Sequence, residues 1–530
     1  MIRGSPPRPA WGRVATALLI LVFVALPAAA RRTATTLRAV ALEGDPIGAF
    51  TFESFGTPVI NALGQVAFDT DLEVGGLAGP FVVSEGGGTL HIALAPNDAP
   101  FPAPQTGNFG PPAFNDTGAV VSMLDKGNES VQIEALASDL LGGVGCGQGP
   151  PPVDPGFCSE PVINDAWFAT LVGDVHVPAN SGLWRSQDGL IEQLVVGGTP
   201  VVGLPGTSVA GLGFPVMNAA DEIAFAGSVD DGVSVDAAIL VYRGSGPELE
   251  HRGGDPAPGI AGATFSSFPG LRINGSGALA FGAMLAIPSQ PDTASVWSTA
   301  SGMPELLALA GDPAPGTPPG VVFATLLPLD LQVLALNDRD QVLLAARLQG
   351  PGVISANDDA IHLGTPGDLN LVLREGDPAP GTGAGVTLLP LASWASQGRA
   401  LNASGELVLD AGLAGPGVGA GNDLAIFAHL EGRLFLVLRE GDDLEVAPGD
   451  TRTIQGLRLR RARGAVVDGI PTPFNDARQL AFTADFTDGS SGVFVATLGP
   501  LPVPGLPPAA VALLAMLLVG AGHAARRRRR

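Results

Sequence analysis

The sequence predicts an all-β chain, a β-propeller of about eight four-stranded blades closed by an N-terminal strand. Three observations predict it. An Asn followed by a turn and an apolar strand recurs eight times, a Gly-Asp-Pro loop precedes several of these copies, and a strand near the N-terminus supplies what the last copy lacks. Seven blades, or an open β-solenoid, are the alternative architectures.

The copies begin at Asn61, Asn115, Asn164, Asn218, Asn274, Asn337, Asn402 and Asn475, at spacings of 54, 49, 54, 56, 63, 65 and 73 residues. That is one supersecondary unit with insertions growing toward the C-terminus. After Asn274, alternation places Leu279, Phe281, Ala283 and Leu285 on one face and Ala278, Ala280, Gly282 and Met284 on the other. A bulky face and a shallow face pack well on copies of themselves, as neighbouring blades do. A third strand follows at Ala294–Ser298 and a fourth at Leu306–Leu309, so a unit holds about four strands in ~50 residues, the spacing of propeller blades. The last copy has strands near Gln479–Asp485 and Val493–Leu498 but no fourth. Leu37-Arg-Ala-Val-Ala-Leu-Glu-Gly-Asp-Pro46 is similar to Leu371-Val-Leu-Arg-Glu-Gly-Asp-Pro378 and is therefore expected to complete it, hiding an edge that would invite aggregation.

Gly-Asp-Pro-Ala-Pro-Gly stands at 254–259, 311–316 and 376–381, with weaker versions at Gly44-Asp45-Pro46, Asn97-Asp98-Ala99-Pro100 and Gly441-Asp442-Asp443. Two prolines between two glycines exclude helix and central strand, so these are loops on one end of the units. If they share one end of the ring, Asp45, Asp98, Asp255, Asp312, Asp377 and Asp442 form a rim of carboxylates suited to Ca²⁺ or a cationic ligand. The other reading has each Asp capping its own turn. No cofactor is expected otherwise. The recurring Asn is read as a turn residue, accepting a left-handed backbone and bonding its own turn.

The two ends specify location. Arg3, Arg8 and Arg13, an apolar run from Val14 to Leu26 and Pro-Ala-Ala-Ala ending at Ala30 make residues 1–30 a signal peptide. Residues 31–498 are the repeat body. Residues 499–530 join a Pro-rich stretch to an apolar run from Ala509 to Gly522, expected as a transmembrane helix, and to Arg526–Arg530. The positive-inside rule holds such an arginine cluster in the cytoplasm and leaves the body outside. The tail resembles the PEP-CTERM sorting signals, although Val503-Pro-Gly-Leu-Pro507 replaces the Val-Pro-Glu-Pro of that family. The resemblance implies processing by an exosortase-like membrane protease, with a retained membrane anchor as the alternative. The repeats, over about residues 40–498, resemble bacterial secreted tandem-repeat proteins carrying Gly-Asp-Pro-Ala-Pro-Gly and Asn-x-x-Gly-x-Val-Ala-Phe. That resemblance implies a β-rich surface protein and brings no activity.

Charge excludes one class of partner. The chain carries −23, and its two ends contribute eight arginines and no acid, so the body is more acidic still and holds a single lysine, Lys126. Nucleic acid is not a partner of such a surface. Cys146 and Cys158, with eleven residues between them in a Gly/Pro-rich stretch of an exported chain, are expected to form a local disulfide. Catalysis has little support. His91, His176, His251, His362 and His429 show no metal-site spacing, no Gly-x-Ser-x-Gly elbow occurs, and Gly415–Gly421 lacks a nucleotide-binding context. The arginines at 452, 458, 460, 461 and 463 read as a solvated strand answering nearby carboxylates, or as a docking patch for an acidic partner. The function expected is an exported, cell-surface or extracellular, non-catalytic binding or structural module with a glycan or protein ligand. An extracellular polysaccharide hydrolase or lyase is the rival, set against only five Trp and one Tyr.

Overall fold

The computed structural model describes residues 34–499 apart from 76, 87, 96–107, 110–111, 126–129, 137–138, 147–156, 159–161, 167, 174–181, 188–189, 325–330, 390–397 and 461–471. The leader and nearly all of the tail therefore lie outside the described residues, and so do Asp98, Lys126, His176, Arg461 and Arg463. Among the described residues no helix is long and apolar enough to cross a membrane.

Eight antiparallel sheets follow one another along the chain, each built around one of the eight Asn residues. Blade 5 shows the plan: Thr264–Ile273, Leu279–Ala286, Thr293–Ser298 and Glu305–Leu309 run from the inner edge outward. In blades 1, 2, 3, 6 and 7 the inner edge is two short pieces that pair with one second strand, as Phe50–Phe55 and Val59–Ile60 do with Val66–Val74. The alternation expected after Asn274 is observed. Leu279, Phe281, Ala283 and Leu285 pack against Val216, Ala224, Ile239 and Val241 of blade 4. Ala280 faces Phe323, Leu344 and Ala346 of blade 6 on the other side. Each blade interface is thus a separate apolar layer that two successive repeats share.

The ring closes through the N-terminal strand. Ala34–Leu42 pairs antiparallel with Ser491–Leu498, with Ala34 opposite Leu498 and Leu42 opposite Gly492, and becomes the outer strand of blade 8. Ala41, Ala481, Val493 and Val495 of that blade then share a core with Phe52, Phe55 and Phe68 of blade 1. Closure removes the unpaired outer edge that an open array would leave at this blade.

One expectation about the Asn turns needs correction. The left-handed residue is not the Asn but the third residue after it: Gly64, Gly118, Asp221, Gly277, Asp340, Gly405 and Arg478 have φ of 79, 91, 62, 83, 61, 81 and 59°. The Asn keeps an ordinary backbone, and its side chain holds the turn.

Candidate functional site

Each repeat unit runs from the Gly-Asp-Pro loop down the inner strand to the Asn turn, so the two recurring motifs lie on opposite ends of the ring. At the Asn end, the side-chain oxygen and nitrogen of each Asn have different partners. The Oδ1 of Asn274 accepts from the Ser276 and Ala278 backbone N–H groups of its own turn. Its Nδ2 donates to the backbone carbonyl of Asn337, in the next blade. The pattern repeats around the molecule: Asn61 to Asn115, Asn115 to Asn164, Asn164 to Asn218, Asn218 to Asn274, Asn337 to Asn402, Asn402 to Asn475 and Asn475 back to Asn61, at 2.9–3.4 Å. All eight side chains are buried. Eight amides thereby form a closed girdle linking every blade to the next. A turn needs only an acceptor, which Asp also supplies; the cross-blade bond needs a donor as well. That double requirement is the signal behind the recurrence of Asn.

At the other end the Gly-Asp-Pro loops zip into the following blade. In the loop after blade 4, Gly254 N–H donates to the Phe265 carbonyl, Ala257 N–H to that of Ala263, and Phe265 N–H to that of Asp255. The loops at 311 and 376 repeat these bonds. Asp45, Asp255 and Asp442 each accept, through Oδ2, the N–H of the residue three before: Leu42, Arg252 and Arg439. Asp312 and Asp377 sit at the same position, their N–H groups bound to the carbonyls of Leu309 and Arg374. Between blades 3 and 4, Gly198-Thr199-Pro200 makes the same loop, and the Thr199 hydroxyl accepts the Val196 N–H in place of a carboxylate. An uncharged oxygen serves this position, which marks the Asp foremost as a turn acceptor. In the sequence the only sign of this loop is a Gly-x-Pro with a side-chain acceptor, Thr199.

Beside these loops lie carboxylates that no motif announced. The residue preceding Gly-Asp donates its N–H to a carbonyl near the start of the third strand: Gly253 to Ala237, Ala310 to Ala294, Glu375 to Asp359, Glu440 to Leu424 and Glu43 to Ser491. In blade 6 this register sets Glu375 beside Asp358 and Asp359. One oxygen from each lies within 4.8 Å of the others. None of the five described rim aspartates belongs to that group. Burial, with the neighbouring charges of Asp359 and Asp358, pushes the Glu375 carboxyl up to about 7. Blade 7 carries two of the three groups, Asp423 and Glu440, with Leu424 where Asp359 stands. Glu440 is likewise raised to about 7, chiefly by burial. Glu375 is only 1% exposed, so a sugar ring cannot reach it in this conformation.

Of the described arginines in the arginine-rich insertion, Arg460 turns inward. Arg452 pairs with Asp450 and Arg458 with Asp485. Arg458 Nη1 also donates to the Phe55 carbonyl in blade 1, while Arg460, 5% exposed, reaches past blade 1 to the Pro112 carbonyl in blade 2. Asp69 of blade 1 faces this pair, and burial raises its carboxyl to about 6 although Arg460 and Arg458 oppose the shift. The answering carboxylates are as expected, but Arg460 is a buried tie among blades 8, 1 and 2 rather than a solvated residue. Arg399 is buried and Arg272 half-buried, and desolvation brings each down to about 10.

Among the described histidines, His251 and His362 serve packing. His251 lies 4.9 Å from the Phe281 ring, and His362 is fully buried against Phe323 with Nε2 3.1 Å from the Pro315 carbonyl. His91 is held by Thr89 and the Gly86 carbonyl. Cys146 ends the outer strand Asp139–Cys146 of blade 2, and Cys158 lies in Phe157–Cys158 on the inner edge of blade 3. Their side chains are outside the described residues, and a bond between them would bridge the crossing between two blades.

The chain belongs to the family of unknown function DUF7453, which matches residues 73–506. No curated protein matches it in sequence. Among solved structures it is similar to the β-propeller domain of the Trilobed protease from Pyrococcus furiosus, with 9% identity and a TM-score of 0.37 over 75% of this chain and 99% of that one. It is also similar to prolyl oligopeptidase B from Galerina marginata, with 10% identity and a TM-score of 0.41 over 82% of this chain and 55% of that one. A puromycin-hydrolyzing peptidase of Mycobacterium tuberculosis gives 12%, 0.35, 85% and 61%. The chain spans little more than half the length of those two peptidases.

Proposed function

We propose that this DUF7453 member is an exported β-propeller serving as a non-catalytic binding or structural module on, or released from, the surface of a Gram-negative-type cell. The observation that carries the reading is the pairing of Ala34 with Leu498. It places both ends of the ring side by side at the Asn end, because Leu498 N–H donates to the carbonyl of Arg478 in the Asn475 turn. The leader ends four residues before that strand and the tail begins one residue after its partner. Removing either therefore leaves every blade whole. While the tail is held in a membrane, the Asn end faces the bilayer, and the Gly-Asp-Pro end, with its acidic groups, faces away toward a glycan or protein ligand. An exosortase-like protease acting on the tail then releases or transfers an intact ring.

The test is fractionation of cells expressing the full chain and a chain ending at Leu498. The full chain is expected in the envelope fraction with residues 1–30 removed, and the shortened one soluble outside the cytoplasm with an unchanged melting temperature. A full chain that keeps its leader and stays in the cytoplasm refutes the proposal.

A further inference from the structure

We infer that Asp358, Asp359 and Glu375 form a Ca²⁺ site at the Gly-Asp-Pro end of blade 6, an inference that stands apart from the export reading. Two independent features point to it. The first is geometry: one oxygen from each carboxylate lies within 4.8 Å of the others. Two oxygens bound to one Ca²⁺ at about 2.4 Å are separated by at most about 4.8 Å, so a single ion can touch all three. The second is the state of Glu375. It is buried, and neither of its carboxylate oxygens has a hydrogen-bond partner. A buried carboxylate without a partner is costly unless something supplies positive charge or a proton.

Comparison among the blades shows the group is not a by-product of the repeat. The same three positions, fixed by the same backbone bond, hold Asp236, Ala237 and Gly253 in blade 4, and Asp423, Leu424 and Glu440 in blade 7. Where blade 8 meets the N-terminal strand they hold Ser490, Ser491 and Glu43. Among these, three carboxylates meet only in blade 6. Hard, all-oxygen, anionic ligands select Ca²⁺ over softer ions, and Mg²⁺ demands a more regular shell than three protein carboxylates on a loop edge provide. The charged groups around the site are Arg347, Arg374 and Asp377. Arg347 Nε stands 3.8 Å from Asp358 and 3.7 Å from Asp359, on a side chain 48% exposed, at the solvent edge of the site. Arg374 Nε is engaged by the Asn357 carbonyl.

A dissociation constant of about 10⁻⁴–10⁻³ M suits a site with this few protein ligands. The experiment is calorimetric titration of the purified chain with CaCl₂ at constant ionic strength, with melting curves in parallel. One ion per chain is expected. Glu375→Gln should abolish binding and Glu440→Gln should leave it unchanged. The Glu375→Gln chain is expected to melt in EDTA at or above the wild-type temperature at pH 8, which separates a lost site from a lost fold. No heat or melting shift beyond a KCl control overturns the inference, as does binding that survives Glu375→Gln. A pH-dependent melting difference between Glu375→Gln and wild type with no Ca²⁺ response shows that the cluster only shares a proton, and also overturns it.

Discussion

Replacing Asn475 with Asp isolates the donor half of the amide girdle where the ring closes. In the native turn, Oδ1 accepts from Ala477 and Gln479 N–H at 3.1 and 3.0 Å. Nδ2 donates at 2.9 Å to both the Asn61 carbonyl and Gln479 Oε1. Asp keeps the first pair and turns the second into oxygen against oxygen, inside a buried site. One neutral hydrogen bond is worth about 1 kcal/mol net, and a buried carboxylate facing a carbonyl adds more, so the expected loss is about 2–4 kcal/mol at pH 7.5. At about 2 cal/mol/K per residue, a ring of this size translates that into a fall of about 2–4 °C in melting temperature. The new Asp has its folded pKa raised above its unfolded value. Stability from its protonated, donating form is therefore present below the unfolded pKa and lost as pH rises through the folded one. The gap between variant and wild type should narrow from pH 7.5 to pH 5. Differential scanning calorimetry at both values measures it. If Asn475 acted only as a turn residue, Asp would serve equally well, and a variant as stable as wild type at pH 7.5 refutes the girdle's contribution.

Other outcomes follow from the same packing. Deleting residues 31–42 removes the outer strand of blade 8 and exposes the Ser491–Leu498 edge, so light scattering should show oligomers or aggregate where the intact body is monodisperse. A Cβ on Gly227 would stand 2.2 Å from the Gly211 carbonyl in the neighbouring strand; Gly227→Ala should cost about 2 kcal/mol or more by urea unfolding. Burial holds His362 down to about 4, so its contribution is present above the unfolded pKa of 6.5 and lost as pH falls toward 4. His362→Gln should remove that slope, worth about 3 kcal/mol at most. Glu440 shifts the opposite way: raised to about 7, it loses stability for the fold as pH rises from 4.5 through 7. Glu440→Gln should therefore gain on wild type at pH 8 in the same unfolding assay.

The repeat number, the strands and the loop positions were legible because each rests on local chemistry. Leu279, Phe281, Ala283 and Leu285 declare a face by alternation alone. Gly254 and Gly259, both with positive φ, flank the two prolines that forbid helix. Even the closing strand could be found, since Leu37–Pro46 had to resemble an outer strand in order to act as one. The split inner strands were not legible, because their short pieces are defined by pairing with the second strand and not by their own pattern.

What the sequence by itself determined about this protein is a repeating β unit and the order of its turns, since both depend on interactions among residues a few positions apart. Only the tertiary structure decided which oxygen and nitrogen of each Asn face which blade, because the cross-blade partners lie 49–73 residues away, and 414 at the closure. It also decided that Arg460 is buried against Pro112 and that Glu375 meets Asp358 and Asp359 while Glu440 meets Asp423 and a leucine. Composition showed an acidic chain with arginines in one insertion. Which charges converge, and which are cut off from water, is set by how neighbouring blades align when the ring closes.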